Sequence, residues 1–286
     1  MTMFERCIEM IDNLYIDDLI LSALKEDMPL GDITTDNLIA PEAKASAKLI
    51  AKQAGIIAGL DVAERVFKLL ESEVRFTRNI EDGAFVKKGD IIARIEGNTR
   101  ALLKGERTAL NLLQRLSGIA TKTNDFCERI KGLPAKIVDT RKTTPGLRFL
   151  EKYAVKAGGG TNHRFCLSDG VLIKDNHIKA AGDIGKAVEL ARNSIPHTIK
   201  IEVEVETMEQ VAEALESRAD IIMLDNMSLE MMKQAVKLID KKAIVEASGN
   251  VNIETVYDIA STGVDIISVG SLTHSVSAFD ISMRFE

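Results

Sequence analysis

Tryptophan is absent from the chain and cysteine is scarce, with three residues and no CxxC pair. Cys7, Cys127 and Cys166 therefore offer neither the paired spacing of a structural zinc site nor an even-numbered disulfide framework. No run of about 18 apolar residues occurs, so we expect no transmembrane helix and no membrane partner. The opening MTMFERCIEMIDN mixes acids and bases without an apolar segment, so we expect no signal peptide. These absences predict a cytoplasmic protein.

Positive charge is also in the minority. The 286 residues include 37 Lys and Arg against 43 Asp and Glu, for a formal net charge of −6, and 4% of them are aromatic. Nucleic-acid-binding proteins usually present a basic surface with aromatic side chains, so we expect no nucleic-acid partner. Against this background the stretch DTRKTTPGLR (139–148) is unusual, because it gathers three cations after one aspartate.

The first part of the chain has the pattern of a small sheet domain. Segments 43–59 and 82–97 alternate apolar residues with polar or small ones, as strands do. Apolar residues then recur at three- and four-residue steps across 105–131, which predicts a long amphipathic helix. We expect an N-terminal α+β domain of sheet plus helices over residues 1–112, joined by the C-terminal tail 275–286.

A strand–helix unit repeats through the second half. Six apolar runs of strand length alternate with helical patterns, and the last four begin about 20 residues apart, as in a parallel α/β sheet. Six strands are too few for a complete eight-stranded barrel, so we predict an incomplete α/β barrel over residues 113–274. Ser228 and Asn252 are predicted to cap two of its helices. The six runs are 135–140, 171–176, 200–207, 220–226, 243–250 and 265–271.

Polar or small residues end each of these runs. Active sites of α/β barrels form at the carboxyl ends of the strands, so these residues predict one convergent site. His163, between three glycines and an arginine, is the best ligand candidate among the histidines, whereas Lys152 lies in a helical pattern and is expected to be solvated. Arginine forks suit carboxylates and phosphates, so the cations predict a ligand with several negative charges. These cations are Arg141, Lys142, Arg164 and Lys174.

The remaining strand ends suggest a phosphate and sugar hydroxyls. The last two strands finish in ASGN and VGS, whose small residues leave backbone N–H groups free for a phosphate. Glu204 and Asp225 lie on intervening strands, where carboxylates could hold hydroxyls or hydrated Mg²⁺. Alternatively, Glu202, Glu204 and Glu206 form the polar face of an alternating strand. An unpaired carboxylate that points into a barrel is costly, however, so we favour a role for Glu204.

Seven segments in order carry a family resemblance: GERTALNLLQRLSGIAT, DTRKTTPGLRFLEKYAVKAGGGTNHR, LSDGVLIKDNHI, IEVEVET, LDNMS, EASGN and VGSLTHS. They closely resemble the quinolinate phosphoribosyltransferases, and the resemblance extends from GDITTD (31–36) to THS (273–275). The two adjacent acids of other phosphoribosyltransferases are absent, which agrees with this family's separate barrel-based fold. The resemblance implies an enzyme that joins phosphoribosyl pyrophosphate to quinolinate and releases pyrophosphate and CO₂. The product would be nicotinate mononucleotide for NAD biosynthesis.

The resemblance also implies a role for each candidate residue. The residues expected to face the two carboxylates of quinolinate are Arg107, from the partner subunit of a homodimer, and Arg141, His163, Arg164 and Lys174. Lys142 would meet phosphoribosyl pyrophosphate, Thr140 would support the basic loop, and Glu204 and Asp225 would hold ribose hydroxyls and Mg²⁺, directly or through water. The expected catalytic groups are Lys142, Lys174, Glu204 and Asp225. Ser248, Gly249, Gly270 and Ser271 would hold the 5′-phosphate, with His274 nearby. Asn250 and Val269 are expected among the other substrate-binding residues.

One position departs from the family pattern, and other functions are also open. Asn250 stands where the family usually has a second glycine, but asparagine tolerates a left-handed φ, so we expect the phosphate turn to persist. Mg²⁺ is the only cofactor that we expect, with no organic cofactor. One alternative is a phosphosugar lyase with Lys174 as a Schiff-base lysine. Others are a non-catalytic sensor of phosphoribosyl or pyridine ligands, and a relative of the same fold found with molybdate transport genes.

Overall fold

The computed structural model describes residues 13–286, so Cys7 and most of the segment tested for a signal peptide lie outside the described residues. The chain forms two compact units. The first extends up to Thr121 and includes Val276–Glu286, and the second comprises Lys122–Ser275. The boundaries expected from sequence, 112/113 and 274/275, lie slightly earlier. The first of them falls inside one continuous helix, where no loop or change of pattern marks a division.

The first unit is built on an antiparallel sheet. Its four strands have the order β12-β1-β5-β3, and β2 pairs separately with β4. In β1, Ala47, Leu49 and Ala51 are buried at every second position, which matches the alternation in the sequence. The elements are α1 (Asn13–Asp27), α2 (Ile33–Leu38), β1 (Lys44–Ala51), β2 (Gly55–Ile56), α3 (Leu60–Leu70), β3 (Arg75–Arg78), β4 (Phe85–Val86), β5 (Ile91–Asn98) and β12 (Ile281–Phe285), with α4 (Thr99–Arg129) as the long predicted helix.

The second unit is a parallel sheet with helices between its strands. The six strands have the order β6-β11-β10-β9-β8-β7, and every neighbouring pair is parallel. This confirms the predicted α/β class, while the incomplete barrel stays a prediction. The elements are β6 (Lys136–Val138), α5 (Arg148–Ala157), β7 (Val171–Ile173), α6 (Asp175–Ala181), α7 (Ile184–Ser194), β8 (Ile201–Val205), α8 (Met208–Glu216), β9 (Ile221–Asp225), α9 (Leu229–Ile239), β10 (Ile244–Ser248), α10 (Val256–Ala260), β11 (Ile266–Ser268) and α11 (Ser271–His274).

Side-chain caps start two of the helices that directly follow a strand, α8 and α9. Ser228 caps α9 as predicted, because its side chain accepts a hydrogen bond from the backbone N–H of Met231. Asn252 supplies the predicted cap hydrogen bonds, although the regular helix begins only at Val256. The Asn252 side chain accepts from the backbone N–H groups of Glu254 and Thr255, in the turn before α10. Since all six strands are parallel, their carboxyl ends share one edge of the sheet.

No helix in the described part of the chain has both the length and the hydropathy that a membrane span requires.

Candidate active site

A pocket of about 840 Å³ opens among the carboxyl ends of the parallel strands. Its lining includes every predicted site residue of the second unit, and it adds several residues that we did not predict. The predicted members are Thr140, Arg141, Lys142, His163, Arg164, Lys174, Glu204, Asp225, Ser248, Gly249, Asn250, Val269, Gly270, Ser271 and His274. The additional members are Leu172, Met223, Asn226, Glu246, Val251 and Ser268.

Arg107 is the predicted site residue that is not among those lining this pocket. It lies on α4 in the first unit, and its side chain is exposed. Its expected donation across a subunit interface stays a prediction.

A buried ion pair holds two loops of the site together. Lys152 is 2% exposed and its ammonium bonds to the carboxylate of Asp139, which is fully buried. The expectation that Lys152 is solvated was therefore wrong, because it lies on the buried face of α5. Asp139 also accepts hydrogen bonds from Asn162 Nδ2 at 2.6 Å and from the backbone N–H of His163 at 3.0 Å. The pair thus fixes the glycine-rich loop before Arg164 to the end of β6.

Burial shifts the pKa of both Asp139 and Lys152. It raises the pKa of Asp139 and lowers the pKa of Lys152, while the attraction between the two groups opposes both shifts. The carboxylate has three hydrogen-bond donors around it, which is the arrangement that a buried charge requires.

The two arginines of DTRKTTPGLR, Arg141 and Arg148, make different contacts. Arg148 donates to Thr143 Oγ1 at 2.9 Å and to the carbonyl oxygens of Phe165 and Arg141 at 3.3 and 3.4 Å, so it braces the loops rather than the pocket. Arg141 lines the pocket, and its buried Nε has no hydrogen-bond partner among residues 13–286. An unpaired buried donor of this kind is suited to a ligand acceptor.

Two arginines lie close enough to repel each other. Burial lowers the pKa of Arg164, and the charge of Arg141 lowers it further. Arg164 Nη1 donates to the carbonyl of Gly170 at 2.8 Å, which orients the guanidinium. A bound anion would offset the repulsion between the two guanidinium groups, so this end of the pocket is built for negative charge.

Lys174 and Glu204 form an ion pair where β7 and β8 end. The backbone N–H of Lys174 donates to His177 Nδ1 at 2.9 Å, which anchors the start of α6. The side chain of Lys174 is 46% exposed and that of Glu204 is 16% exposed, so the lysine reaches towards solvent from a carboxylate that is largely covered. The pair links the cationic end of the pocket to its acidic middle.

An amide bridge links the ends of β9 and β10. Asn226 Nδ2 donates to Asp225 Oδ2 at 3.0 Å, and Asn226 Oδ1 accepts from Asn250 Nδ2 at 2.9 Å. Gly249 has φ +94°, and a Cβ there would lie 2.2 Å from Asn226 Oδ1. Asn250 has φ +51°, so it adopts the left-handed conformation expected of it. Sequence reasoning missed the bridge because it depends on pairing between two strands.

Lys142 is held against the turn that follows β11. Thr140 Oγ1 accepts from its backbone N–H at 3.1 Å, and its carbonyl accepts from Thr273 Oγ1 at 2.8 Å. A Cβ on Gly270 would lie 3.2 Å from Lys142 Cδ and 3.3 Å from His274 Cδ2. Glycine at this position therefore allows the lysine stem and the histidine ring to pack against the turn.

Two buried glutamates next to His163 were missed as functional residues, and one of them, Glu246, lines the pocket. His163 Nε2 lies 3.2 Å from Glu202 Oε2 and 3.6 Å from Glu246 Oε1. Burial and then the charge of Glu202 raise the pKa of Glu246 to about 7. Burial alone would lower the pKa of His163, but its hydrogen bond to Glu202 and the charges of both glutamates raise it overall. For Glu246 the available signal was a single acid within the apolar strand β10, because such positions are otherwise hydrophobic.

Family models cover both parts of the chain. The model of the quinolinate phosphoribosyl transferase N-terminal domain matches residues 32–117, and that of the C-terminal domain matches residues 119–284. The chain belongs to the quinolinate phosphoribosyltransferase family.

Individual members of the family are similar over almost their whole length. A probable nicotinate-nucleotide pyrophosphorylase [carboxylating] of Bacillus subtilis (strain 168) is 45% identical over 273 residues, which cover 96% of this chain and 94% of that protein. The crystal structure of NadC from Streptococcus pyogenes is 45% identical with a TM-score of 0.93, covering 96% of this chain and 97% of that chain. A nicotinate-nucleotide pyrophosphorylase structure from Francisella tularensis is 39% identical with a TM-score of 0.93, covering 96% of this chain and 98% of that chain.

These matches confirm the predicted family and the mixed α/β fold with an N-terminal sheet-plus-helix domain and a C-terminal parallel-sheet domain. The matches are between whole domains and whole chains and assign no role to any single residue. The role of each pocket side chain is therefore inferred from its own chemistry and contacts.

Proposed function

We propose that this protein transfers the phosphoribosyl group of phosphoribosyl pyrophosphate to the nitrogen of quinolinate and yields nicotinate mononucleotide, CO₂ and pyrophosphate. One observation carries the proposal. A single pocket brings together a cationic end, an acidic middle and a small-residue end, which match a dicarboxylate, a ribose and a phosphate. Its family, and relatives named nicotinate-nucleotide pyrophosphorylase [carboxylating], support the same reaction.

Quinolinate would bind at the cationic end. Arg141 and Arg164 present guanidinium groups that repel each other without an anion, and Lys174, at the N-cap of α6, adds a third cation. Each arginine on a carboxylate contributes about 1.5–3 kcal/mol as a charged hydrogen bond. The cations orient the dianion and leave the ring nitrogen directed towards the middle of the pocket.

The 5′-phosphate would bind at the opposite end. Ser248, Gly249 and Asn250 form a turn with two consecutive left-handed residues after β10, and Gly270 and Ser271 follow β11. Such turns direct backbone N–H groups at a phosphate. The amide bridge through Asn226 ties this turn to the end of β9.

The two chemical steps use charges that are already in position. Attack of the pyridine nitrogen on the anomeric carbon of ribose expels pyrophosphate through a transition state with positive charge on the sugar. Glu204 and Asp225 stabilise that charge, and Lys142 offsets negative charge on the leaving group. CO₂ then leaves from the ring carbon beside the quaternary nitrogen, whose positive charge stabilises the electron pair left behind.

Mg²⁺ fits the oxygen donors in the middle of the pocket. Glu204, Asp225 and the amide of Asn226 supply carboxylate and carbonyl oxygens, and no cysteine thiolate is among the described residues of the lining. Mg²⁺ bound there would neutralise charge on the departing pyrophosphate. Because Glu204 already binds Lys174, Asp225 is the freer of the two carboxylates for the ion or its water shell.

We extend the proposal to a cytoplasmic homodimer in which Arg107 of each subunit completes the other subunit's site. Its exposed position on α4 and its absence from the residues that line the pocket of the described chain support this arrangement. Mixing inactive Arg107→Ala with inactive Lys174→Ala protein should restore part of the activity in hybrid dimers. No recovery after verified subunit exchange would refute the shared site.

The reaction itself is tested by incubating the protein with quinolinate, phosphoribosyl pyrophosphate and Mg²⁺ and measuring CO₂ and pyrophosphate together. We expect equal amounts of both, and no turnover when nicotinate replaces quinolinate, since the second carboxylate would be missing. Trapping of Lys174 by borohydride with a carbonyl substrate would instead support the lyase. Absence of both products would refute the proposed function.

A further inference from the structure

His163, Glu202 and Glu246 form a cluster of which the first and last line the pocket. This cluster has more hydrogen-bond acceptors than hydrogens to donate. His163 Nδ1 accepts a hydrogen bond from the backbone N–H of Arg164 at 2.8 Å, so the imidazole offers one hydrogen, on Nε2. Two carboxylates compete for it, with Glu202 Oε2 at 3.2 Å and Glu246 Oε1 at 3.6 Å. The nearer carboxylate takes the hydrogen, which leaves Glu246 without it.

Neither glutamate can be solvated in place. Glu202 is 4% exposed and Glu246 is 1% exposed, and the Oε1 atom of each has no hydrogen-bond partner within the described part of the chain. Two ionised carboxylates side by side in such surroundings are strongly disfavoured, so the cluster holds one additional proton. The position of that proton follows from the hydrogen count: Glu246 is the carboxylate left without a donor from the imidazole.

The groups around the cluster are those expected if His163, Glu202 and Glu246 share one additional proton. Glu246 faces Glu202, His163 and the hydroxyl of Ser268. The positive charge of Lys152, on α5, lowers the pKa of the His163 imidazole. Burial and the charge of Glu202 raise the pKa of Glu246, whereas the pKa of His163 is raised against its burial by the hydrogen bond to Glu202 and the charges of both glutamates. The geometry thus puts an uncharged carboxylic acid into the wall of a pocket whose other proton donors are mostly cations.

We propose that Glu246 is the acid that delivers a proton to the ring carbon from which CO₂ departs. This role rests on the proposed function. The bond between the ring carbon and the carboxylate breaks, CO₂ leaves, and the electron pair stays on the carbon beside the quaternary nitrogen. The proton of Glu246 then forms the new C–H bond, and Glu246 becomes a carboxylate. Before the next turnover it regains a proton from water, with the imidazole of His163 as the adjacent relay.

The alternative donors in the pocket have other tasks. The ammonium of Lys174 is paired with Glu204, and donation of its proton would remove the positive charge that the substrate carboxylates require. Arginine does not give up a proton in proteins. Glu246 is different because its protonated form is neutral, so its loss of a proton does not remove a partner from the substrate.

The test compares Glu246→Gln with wild-type protein, and uses Glu216→Gln, an exposed glutamate on α8, as the matched control. Glutamine keeps the shape of the side chain but supplies no transferable proton. We expect kcat to fall by roughly 10²–10⁴-fold with the KM for quinolinate changed less than threefold, since general acid catalysis contributes about this factor. The control should keep wild-type values.

A second readout does not depend on turnover of quinolinate. If Glu246 protonates this carbon, its carboxylate should also remove the hydrogen from enzyme-bound nicotinate mononucleotide. In D₂O, wild-type protein should exchange the hydrogen on the carbon between the ring nitrogen and the carboxylate-bearing carbon, as followed by NMR. Glu246→Gln should slow this exchange at least tenfold while still binding the nucleotide.

Several results would overturn the assignment. One is a folded Glu246→Gln protein with kcat within threefold of wild type. Another is wild-type exchange no faster than that of the free nucleotide, a result that needs no variant. A stoichiometric divalent metal that is lost in Glu246→Gln would also overturn it, because the ion would occupy the place of the proton. Failure of wild-type protein to release CO₂ and pyrophosphate would refute the proposed function, whereas normal release by both proteins refutes only the role of Glu246.

Discussion

Replacing Lys152 by methionine should be among the most destabilising single substitutions in the second unit. Methionine keeps most of the length of the buried stem but removes the ammonium that bonds to Asp139 and to the carbonyl oxygen of His163. The carboxylate of Asp139 would then remain fully buried beside only two donors, the amide of Asn162 and the backbone N–H of His163.

The magnitude follows from the burial of the pair. Breaking a buried ion pair by removing one partner costs about 3–5 kcal/mol, and the two remaining donors place Lys152→Met near the lower end. A loss of about 3 kcal/mol should lower the Tm by roughly 6–12 °C. The exposed pair between Lys131 and Glu128 supplies the control, because Lys131→Met should change stability by less than about 1 kcal/mol.

Urea unfolding and calorimetry of Lys152→Met, Asp139→Asn and the double variant measure the effect. The double variant should be less destabilised than the sum of the single variants by about 0.5–3 kcal/mol, since the second change removes the stranded charge. A Tm for Lys152→Met within 2 °C of wild type, or strict additivity in the double variant, would refute the reasoning.

Three further predictions concern the pocket. Arg164→Ala should raise the KM for quinolinate at least tenfold through loss of a charged hydrogen bond, and an unchanged KM in steady-state assays would contradict this. Gly249→Ala should weaken binding of phosphoribosyl pyrophosphate, measured by calorimetry, because the new Cβ would lie 2.2 Å from the Asn226 amide at a left-handed φ; unchanged affinity argues against a phosphate turn there. The pKa of Glu246, about 7, lies above its ordinary 4.5, so the stability from its neutral form is fully present below pH 4.5 and lost as pH rises through 7. The free energy of unfolding of wild type minus that of Glu246→Gln should therefore fall by about 3 kcal/mol across that range, and a flat difference in urea titrations would count against the shift.

The convergence of the site was predictable because it depends on local patterns. Parallel strands with polar ends must present those ends along one edge, so the positions of Arg141, Lys174 and Asp225 followed from strand spacing alone. The left-handed φ of Asn250 likewise followed from the conformational preference of asparagine.

The errors concern features that depend on partners far away in sequence. Lys152 was expected to be solvated because lysine on a helix usually is, and its buried partner, Asp139, lies on a different element, directly after β6. Glu246 was missed because one acid in an apolar run has no recognisable spacing, and its importance comes from Glu202 and His163 on neighbouring elements. Asn226 acquires its bridging role only when β9 pairs with β10.

The pairing of β12 with β1 has a consequence for synthesis on the ribosome. The residues of the second unit are contiguous in sequence, whereas the antiparallel sheet of the first unit lacks an edge strand until Ile281–Phe285 have been made. Until then the outer edge of β1 presents unpaired N–H and C=O groups to other chains. The earliest part of the chain to be translated is thus among the last to be completed, so nascent chains stalled before residue 281 should be the form most prone to aggregate.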